Sequence, residues 1–238
     1  MRAFSLCLIM FLFCGFAARA QEPSPSVTEV QPDASEIPKD YEIGEMEDNK
    51  MVSPDGRFAI LFPIRNEEND AENGPPYPPN LLVRLKPYLV LAKVRKIGLP
   101  PGRVDQLRAE WNGNGMVAIW EHRKWGIGDL SVYEIENDKV KRVHPVFKEA
   151  RKYFDRDFHQ RFLKKYPKEY DNYTFVSDWK EANGDRDFKF NGRRLEVYLG
   201  ADNKPNLAPG PHWTAELFAT WNLDTAKFEK VDFRPGKP

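Results

Sequence analysis

Two short elements that recur three times in the same order constrain this fold more than any other feature. The first is a glycine turn leading into an apolar strand: SPDGRFAILF, WNGNGMVAIW and KFNGRRLEVY, with glycines at 56, 115 and 192. The second reads strand, polar turn, strand, and its ungapped copies are residues 83–94, 132–143 and 220–231. Such turns join antiparallel strands, and fixed self-similarity indicates a repeated unit. The series therefore predicts three β-meander units, at about 48–94, 106–143 and 186–233.

The strands themselves indicate a mainly β fold, or α+β by content. They are short β-branched or aromatic runs bounded by Gly, Pro, Asn and Asp. FAILFP (58–63) is apolar at successive positions, as a strand buried on both faces would be. The units can be propeller-blade-like or sandwich-like, and unrelated antiparallel hairpins would give a similar pattern. Together they predict a single β-rich domain over residues 46–238.

One segment, at about 146–166, has helical periodicity. Its aromatic and small apolar residues recur at three- and four-residue steps, with basic residues filling much of the remainder, and Pro167 follows. This pattern predicts an amphipathic helix inserted between the second and third units. An aromatic stripe at this spacing is typical of core packing, so we expect it to lie against a sheet. The stripe comprises Phe147, Ala150, Phe154, Phe158, Phe162 and Tyr166.

The first 45 residues have the composition of a targeting segment and a leader. Arg2 precedes an apolar stretch, and Ala18-Arg19-Ala20 matches a signal-peptidase site, which predicts a signal peptide at 1–20 and export to the periplasm or outside the cell. Residues 21–45 are rich in Pro, Ser and acid and predict a flexible leader, although apolar periodicity already begins at Tyr41. No other stretch has the length of a transmembrane segment.

Loss of the signal segment would remove both cysteines and two of the 36 basic residues. The mature chain would then carry 34 basic and 36 acidic residues, a net charge near −2. We therefore expect no general attraction to nucleic acid or to anionic membranes. Without disulfides, the exported domain must be stabilised by its hydrophobic core.

The glycine turn and the hairpin resemble known repeats. SPDGRFAILF (53–62) resembles the Ser-Pro-Asp-Gly turn and strand of TolB-type β-propeller repeats, and TWNLDTAKFEKV (220–231) resembles the outer hairpin of WD-type blades. The resemblance implies blade-like units. Closed propellers typically use four to eight blades, so three units depart from the family pattern.

Motifs for catalysis or cofactor binding are absent from the sequence. It contains no Gly-x-Ser-x-Gly elbow, phosphate-binding glycine loop or dinucleotide fingerprint, and the mature chain would have no cysteine nucleophile. The four histidines do not form a pair at metal-ligand spacing. The acidic run at 67–74 lacks the oxygen ligands of a calcium loop. We therefore expect neither a cofactor nor a metal, and no catalytic residue is assigned.

The repeat predicts a binding surface instead. In each unit one connection joins the glycine-led strand to the hairpin, at residues 64–80, 121–129 and 200–214, and equivalent units would bring these connections to one edge. They carry aromatic and polar side chains, which suit the stacking of a sugar or an extended peptide, although the tryptophans could equally cap the core. The predicted ligand-binding residues are Tyr77, His122, Trp125, Asp202, Asn203, His212 and Trp213.

Two functions from different classes follow from these observations. The first is an exported, non-catalytic binding or scaffold module that recognises a protein, peptide or glycan through the inter-strand connections. The alternative is an envelope polysaccharide hydrolase with paired carboxylates, for which Asp202 is the first candidate. Such an enzyme would need a second carboxylate about 5–9.5 Å away across a cleft.

Overall fold

The residues that the structure describes form three antiparallel sheets and one helical segment, which confirms the predicted mainly β fold with an inserted helix. The computed structural model describes residues 37–43, 51–64, 78–94, 106–123, 126–166, 173–176, 188–203 and 212–236. In each sheet four strands pair in chain order as a meander, and in the third sheet one further strand, β9 (Thr174–Val176), pairs with β11 (Arg194–Asp202).

The first sheet contains β1 (Tyr41–Ile43), β2 (Phe58–Pro63), β3 (Leu81–Arg84) and β4 (Leu89–Lys93). The second contains β5 (Gln106–Trp111), β6 (Met116–Arg123), β7 (Gly126–Glu136) and β8 (Lys139–His144). The third contains β9 (Thr174–Val176), β10 (Phe188–Asn191), β11 (Arg194–Asp202), β12 (Thr214–Asn222) and β13 (Lys227–Pro235). Between the second and third sheets, helix α1 (Val146–Asp157) continues through a π-helical turn (Phe158–Phe162) into a last turn, Leu163–Lys165.

A glycine with positive φ lies in the turn that leads into β2, β6 and β11, one strand in each sheet. Gly56, Gly113 and Gly192 have φ of 70°, 62° and 58°, and an added Cβ would meet nothing within 4 Å at any of them. The left-handed backbone, and not a lack of space, therefore requires glycine there. In the second unit this corrects the assignment of the turn to Gly115, since Gly113 takes the left-handed conformation.

The last hairpin of each sheet has the same construction. These hairpins are β3–β4, β7–β8 and β12–β13. Next to each loop two residue pairs are in register, and then the last strand of the sheet bulges by one residue. The loop has two residues in the second sheet, Asn137 and Asp138, both at positive φ, but four residues in the first and third sheets. A structural alignment of the three hairpins therefore needs a gap that the ungapped sequence alignment lacked.

The first strand of a sheet can be assembled from two separate segments. In the third sheet β10 pairs with the beginning of β11 and β9 pairs with its end. In the first sheet Val52 forms a bridge to Ala59, while β1 pairs with residues 61–63. β1 lies within the range 21–45 predicted as leader, at the point where apolar periodicity begins. In the second sheet β5 is continuous along β6.

The glycine turns of successive sheets touch each other. The Asp55 backbone N–H donates to Asn114 Oδ1 at 3.1 Å, and Asn112 Nδ2 donates to the Gly192 carbonyl at 2.6 Å. Strands β2, β6 and β11 therefore start at one edge of the molecule.

The second sheet is buried on both faces. One face packs on the first sheet in a cluster that contains Phe58, Ile60, Val117 and Ile119. The other face, which includes Trp120, packs with the helical segment and the third sheet. Two-sided burial explains why the run MVAIW is apolar throughout, and FAILFP is likewise buried on both faces, as predicted. The sheets therefore stack in chain order, with the aromatic stripe of the helical segment in the second of these cores.

Candidate functional site

The predicted binding residues of the first two connections fall largely outside the described residues. Tyr77 and Trp125 lie outside them, and for His122 the description covers only its backbone position in β6. Their proposed contact with a ligand stays a prediction.

In the third connection the predicted residues fasten the loop to the core. Asn203 is buried, and its Oδ1 accepts a hydrogen bond of 2.7 Å from the Trp213 backbone N–H. Trp213 is 1% exposed, its Nε1 donates to Asp157 at 2.8 Å, and its ring lies 4.9 Å from Phe158. The predicted stacking ring at Trp213 is therefore corrected: this indole is a core residue, because the helical segment covers it. His212, which precedes it, is half-buried.

Asp202 occupies the end of β11, half-buried, and its register partners are Thr174 and Thr214. Neither partner is acidic. The hydrolase alternative therefore gains no support from the strands that flank this carboxylate.

The structure instead contains a cleft at the other end of β12. It lies between α1 and the loop that joins β12 to β13, is open to solvent, and has a volume of about 400 Å³. That volume lies in the range of small-ligand sites, roughly 300–1,000 Å³. Its lining residues are Glu149, Lys152, Tyr153, Arg156, Trp221, Ala226, Lys227 and Phe228.

Three aromatic rings form the apolar part of the cleft. Trp221 is 2% exposed and forms the floor, while Tyr153 and Phe228 are half-buried. The rings meet edge to face: Tyr153 and Phe228 lie 6.1 Å apart at 80°, and Trp221 and Phe228 lie 4.9 Å apart at 82°. The walls therefore form a corner and not a flat platform.

The polar rim of the cleft is mainly basic. Lys152 donates to both oxygens of Glu149 at 2.6 and 2.7 Å, so these two charges offset each other. The guanidinium of Arg156 lies over the Tyr153 ring at 5.4 Å. Within the described part of the chain, neither Arg156 nor Lys227 has an acidic partner. The rim therefore carries two uncompensated positive charges.

Ala226 in the wall of the cleft is conformationally strained. Its φ is 51°, in the left-handed region that costs a residue with a Cβ roughly 1–2 kcal/mol. Strain of this kind tends to be retained where a function uses the local geometry.

A polar network, buried at His144 and Glu134, lies beneath the floor of the cleft and joins the second sheet to the third. Trp221 Nε1 donates to His144 Nδ1 at 3.2 Å, and His144 Nε2 lies 2.5 Å from Glu134 Oε1. Arg193 donates to Glu134 at 3.2 Å and also pairs with Asp224. The network holds Trp221 in place and thereby fixes the floor.

Burial and hydrogen bonding set the charge states of this network. Burial lowers the pKa of His144, an effect that the neighbouring Glu134 only partly offsets. Burial alone would raise the pKa of Glu134, but hydrogen bonds from His144 and Arg193 outweigh it and lower that pKa. A neutral imidazole and an ionised carboxylate therefore share the site.

Sequence reasoning missed the cleft because its two walls are more than 60 positions apart. Lys227 and Phe228 were assigned to a hairpin, and Tyr153 was not part of the predicted aromatic stripe. The available signal was Tyr153 itself, an aromatic residue one position before the stripe residue Phe154 and beside basic residues.

The described residues contain no group of three or more His, Cys, Asp or Glu side chains arranged to hold a metal ion. In the same part of the chain, no helix has both the length and the apolar character needed to cross a membrane. No protein-family model, curated protein or solved structure matches this chain.

Proposed function

We propose that the protein is an exported, non-catalytic binding module whose ligand enters the cleft between α1 and the β12–β13 loop. The observation that carries the proposal is the cleft itself, with an aromatic corner inside and two uncompensated cations on its rim. Apolar walls with a few charged groups at the rim are typical of binding sites. The left-handed Ala226 in its wall adds support.

The proposal retains export, which rests on the predicted signal peptide, and a scaffold of blade-like units, which rests on the resemblance to propeller repeats. In each sheet the four-stranded meander supports that resemblance. The expected site, however, is no longer in the three connections at 64–80, 121–129 and 200–214. It lies beside the loop that joins β12 to β13.

A photocrosslinker in the cleft tests this function without assuming the charge of the ligand. Replacing Tyr153 with p-benzoylphenylalanine keeps a ring in the wall and allows insertion into C–H bonds of any molecule that enters. After incubation of the full chain with an envelope extract of the source cell, we expect a discrete adduct by mass spectrometry. Excess unlabelled protein should compete for the ligand and suppress this adduct.

The matched control carries the same crosslinker at Ile64, which is 39% exposed and lies at the end of β2, in another sheet. We expect no competable adduct from that position. Failure to trap anything at position 153, or equal trapping at both positions, would contradict the proposed function.

A further inference from the structure

The charge of the cleft is local and not a property of the whole chain. The helical segment, residues 146–165, contains seven basic and three acidic residues, whereas the mature chain would be slightly acidic. Ion pairs within the segment neutralise part of this positive charge, such as Arg161 with Asp157 at 2.9 Å. Arg156 and Lys227 have no such partner among the described residues, and both line the cleft. A bound anion would give both a counter-ion.

Arg156 is held in a position suited to an anion. Its guanidinium lies over the face of Tyr153, which restricts the side chain while leaving the planar N–H groups free to donate. A guanidinium fork matches the two oxygens of a carboxylate. The ammonium of Lys227, on an exposed strand, can add a second charge-assisted hydrogen bond.

The shape of the aromatic corner discriminates between ligand classes. A sugar ring stacks on a flat and exposed aromatic face, but Trp221 is almost completely buried. Tyr153 and Phe228 are in edge-to-face contact at 80°, so a group lodged in the corner beside them contacts a face of one ring and an edge of the other. An aromatic side chain fits this arrangement, because aromatic rings favour edge-to-face contacts.

We infer that the cleft binds a peptide through an aromatic side chain with a carboxylate next to it. The ring occupies the corner of Tyr153 and Phe228, and the carboxylate accepts hydrogen bonds from Arg156 and Lys227. This inference rests on the proposed function and names its ligand. The carboxylate can be a peptide C-terminus or the side chain of a neighbouring acidic residue.

Four small probes test the inference in NMR titrations of the full chain. N-acetylphenylalanine carries a terminal carboxylate, N-acetylphenylalanine amide carries none, and N-acetyl-Asp-Phe-amide carries a side-chain carboxylate. Glucuronate supplies an anionic sugar. We expect at least one peptide carboxylate to bind roughly tenfold more tightly than the neutral amide, as two partly exposed ion pairs would provide. The two peptide carboxylates together distinguish the sources of the charge.

Charge variants provide the second arm of the test. Lys227→Glu should weaken the carboxylate probes roughly threefold or more and leave the amide unchanged, and Lys227→Arg should retain binding. Lys230→Glu, on the same strand, makes the same charge change away from the cleft and should have no effect. Since these side chains are exposed, we expect all three variants to fold, which circular dichroism checks.

Three results would overturn the inference. They are equal affinity for the amide and the carboxylates, tighter binding of glucuronate than of either peptide carboxylate, or no binding of any probe. If the crosslinker at position 153 still traps a ligand in any of these cases, the proposed function stands and only its ligand class is wrong. If it traps nothing, the proposed function fails as well.

Discussion

At the scale of single residues, burial and two hydrogen bonds constrain His144 to one protonation state. Its side chain is 0% exposed, and the Trp221 indole N–H points at Nδ1, so that nitrogen must be the unprotonated acceptor. Nε2–H then donates to Glu134, which assigns the tautomer. A proton on Nδ1 would place two donors against each other, and Arg142 and Arg193 also disfavour the positive charge. The folded protein therefore holds this histidine neutral.

The neutral state of His144 predicts a loss of stability in mild acid. Because its pKa is lowered on folding, the unfolded chain binds more protons as pH falls below 6.5, the ordinary value. The free energy of unfolding should therefore decrease from pH 6.5 down to the folded pKa. Glu134, whose pKa is also lowered, adds a further loss below its ordinary value of 4.5. Urea unfolding at pH 7.5 and at pH 5.5 measures the first effect.

The variant His144→Gln should show a smaller decrease between these two pH values than the wild type. His159→Gln is the matched control, because His159 is exposed on the helical segment, and it should keep the wild-type dependence. An unchanged decrease in His144→Gln would assign the effect to other groups.

At the scale of elements, the helical segment shows how a sequence pattern is accommodated. Phe154, Phe158 and Phe162 are spaced by four residues, and all three are buried. In a regular α-helix a repeated four-residue step drifts around the axis, since a turn has 3.6 residues. The π-helical turn at Phe158–Phe162 is wider, and it keeps the last rings of the stripe facing the sheet. The predicted bounds of 146–166 match the observed segment, 146–165, because Pro167 prevents continuation.

Trp213 fastens this helical segment to the third sheet, so its truncation should be costly. Trp213→Ala removes a fully buried indole and should lower the free energy of unfolding by about 3–5 kcal/mol. Trp213→Phe keeps a ring but loses the hydrogen bond to Asp157, and should cost about 1–3 kcal/mol. Thermal and urea unfolding measure both variants.

Ile64→Ala is a suitable reference because it truncates an exposed apolar side chain, and it should change stability by less than about 0.5 kcal/mol. If Trp213→Ala were as mild as this reference, the indole would not be part of the core, and the original ligand-stacking interpretation would be restored.

At the scale of the whole molecule, the second sheet couples the other two. One core joins it to the first sheet, and another joins it to the helical segment and the third sheet. The network of His144, Glu134 and Arg193 crosses the same interface. Loss of the third sheet would expose Trp120 and its apolar neighbours, so neither part can unfold without uncovering a large face of the second sheet.

This shared core predicts a single cooperative unfolding transition. Far-ultraviolet circular dichroism reports all the sheets. Trp120, Trp213 and Trp221 lie in the core shared by the second sheet, the helical segment and the third sheet, so tryptophan fluorescence includes the signal of that core. The two probes should give the same urea midpoint. Two separated midpoints would show that the third sheet and its helix unfold as an independent unit.

The parts of the fold that the sequence predicted are those governed by local chemistry. FAILFP, the Asn137-Asp138 turn and the helix at 146–166 follow from burial on both faces, left-handed turn residues and a regular apolar period. Alignment errors occurred where loop length varies, as in the two-residue loop of the second sheet. Composition alone could not distinguish a Gly113 turn from a Gly115 turn, since both glycines stand next to asparagine.

The strands, two of the three glycine turns and the amphipathic helix are predictable from the sequence, because each depends on residues within about ten positions of one another. The burial of Trp213 under the helical segment and the contact of Tyr153 with Phe228 above Trp221 arise from tertiary packing. The contact of Trp213 with Asp157 spans 56 positions of the chain, and the contact of Tyr153 with Phe228 joins α1 to a hairpin more than 60 positions later. Their formation depends on how two sheets and a helix share one core, which no local pattern encodes.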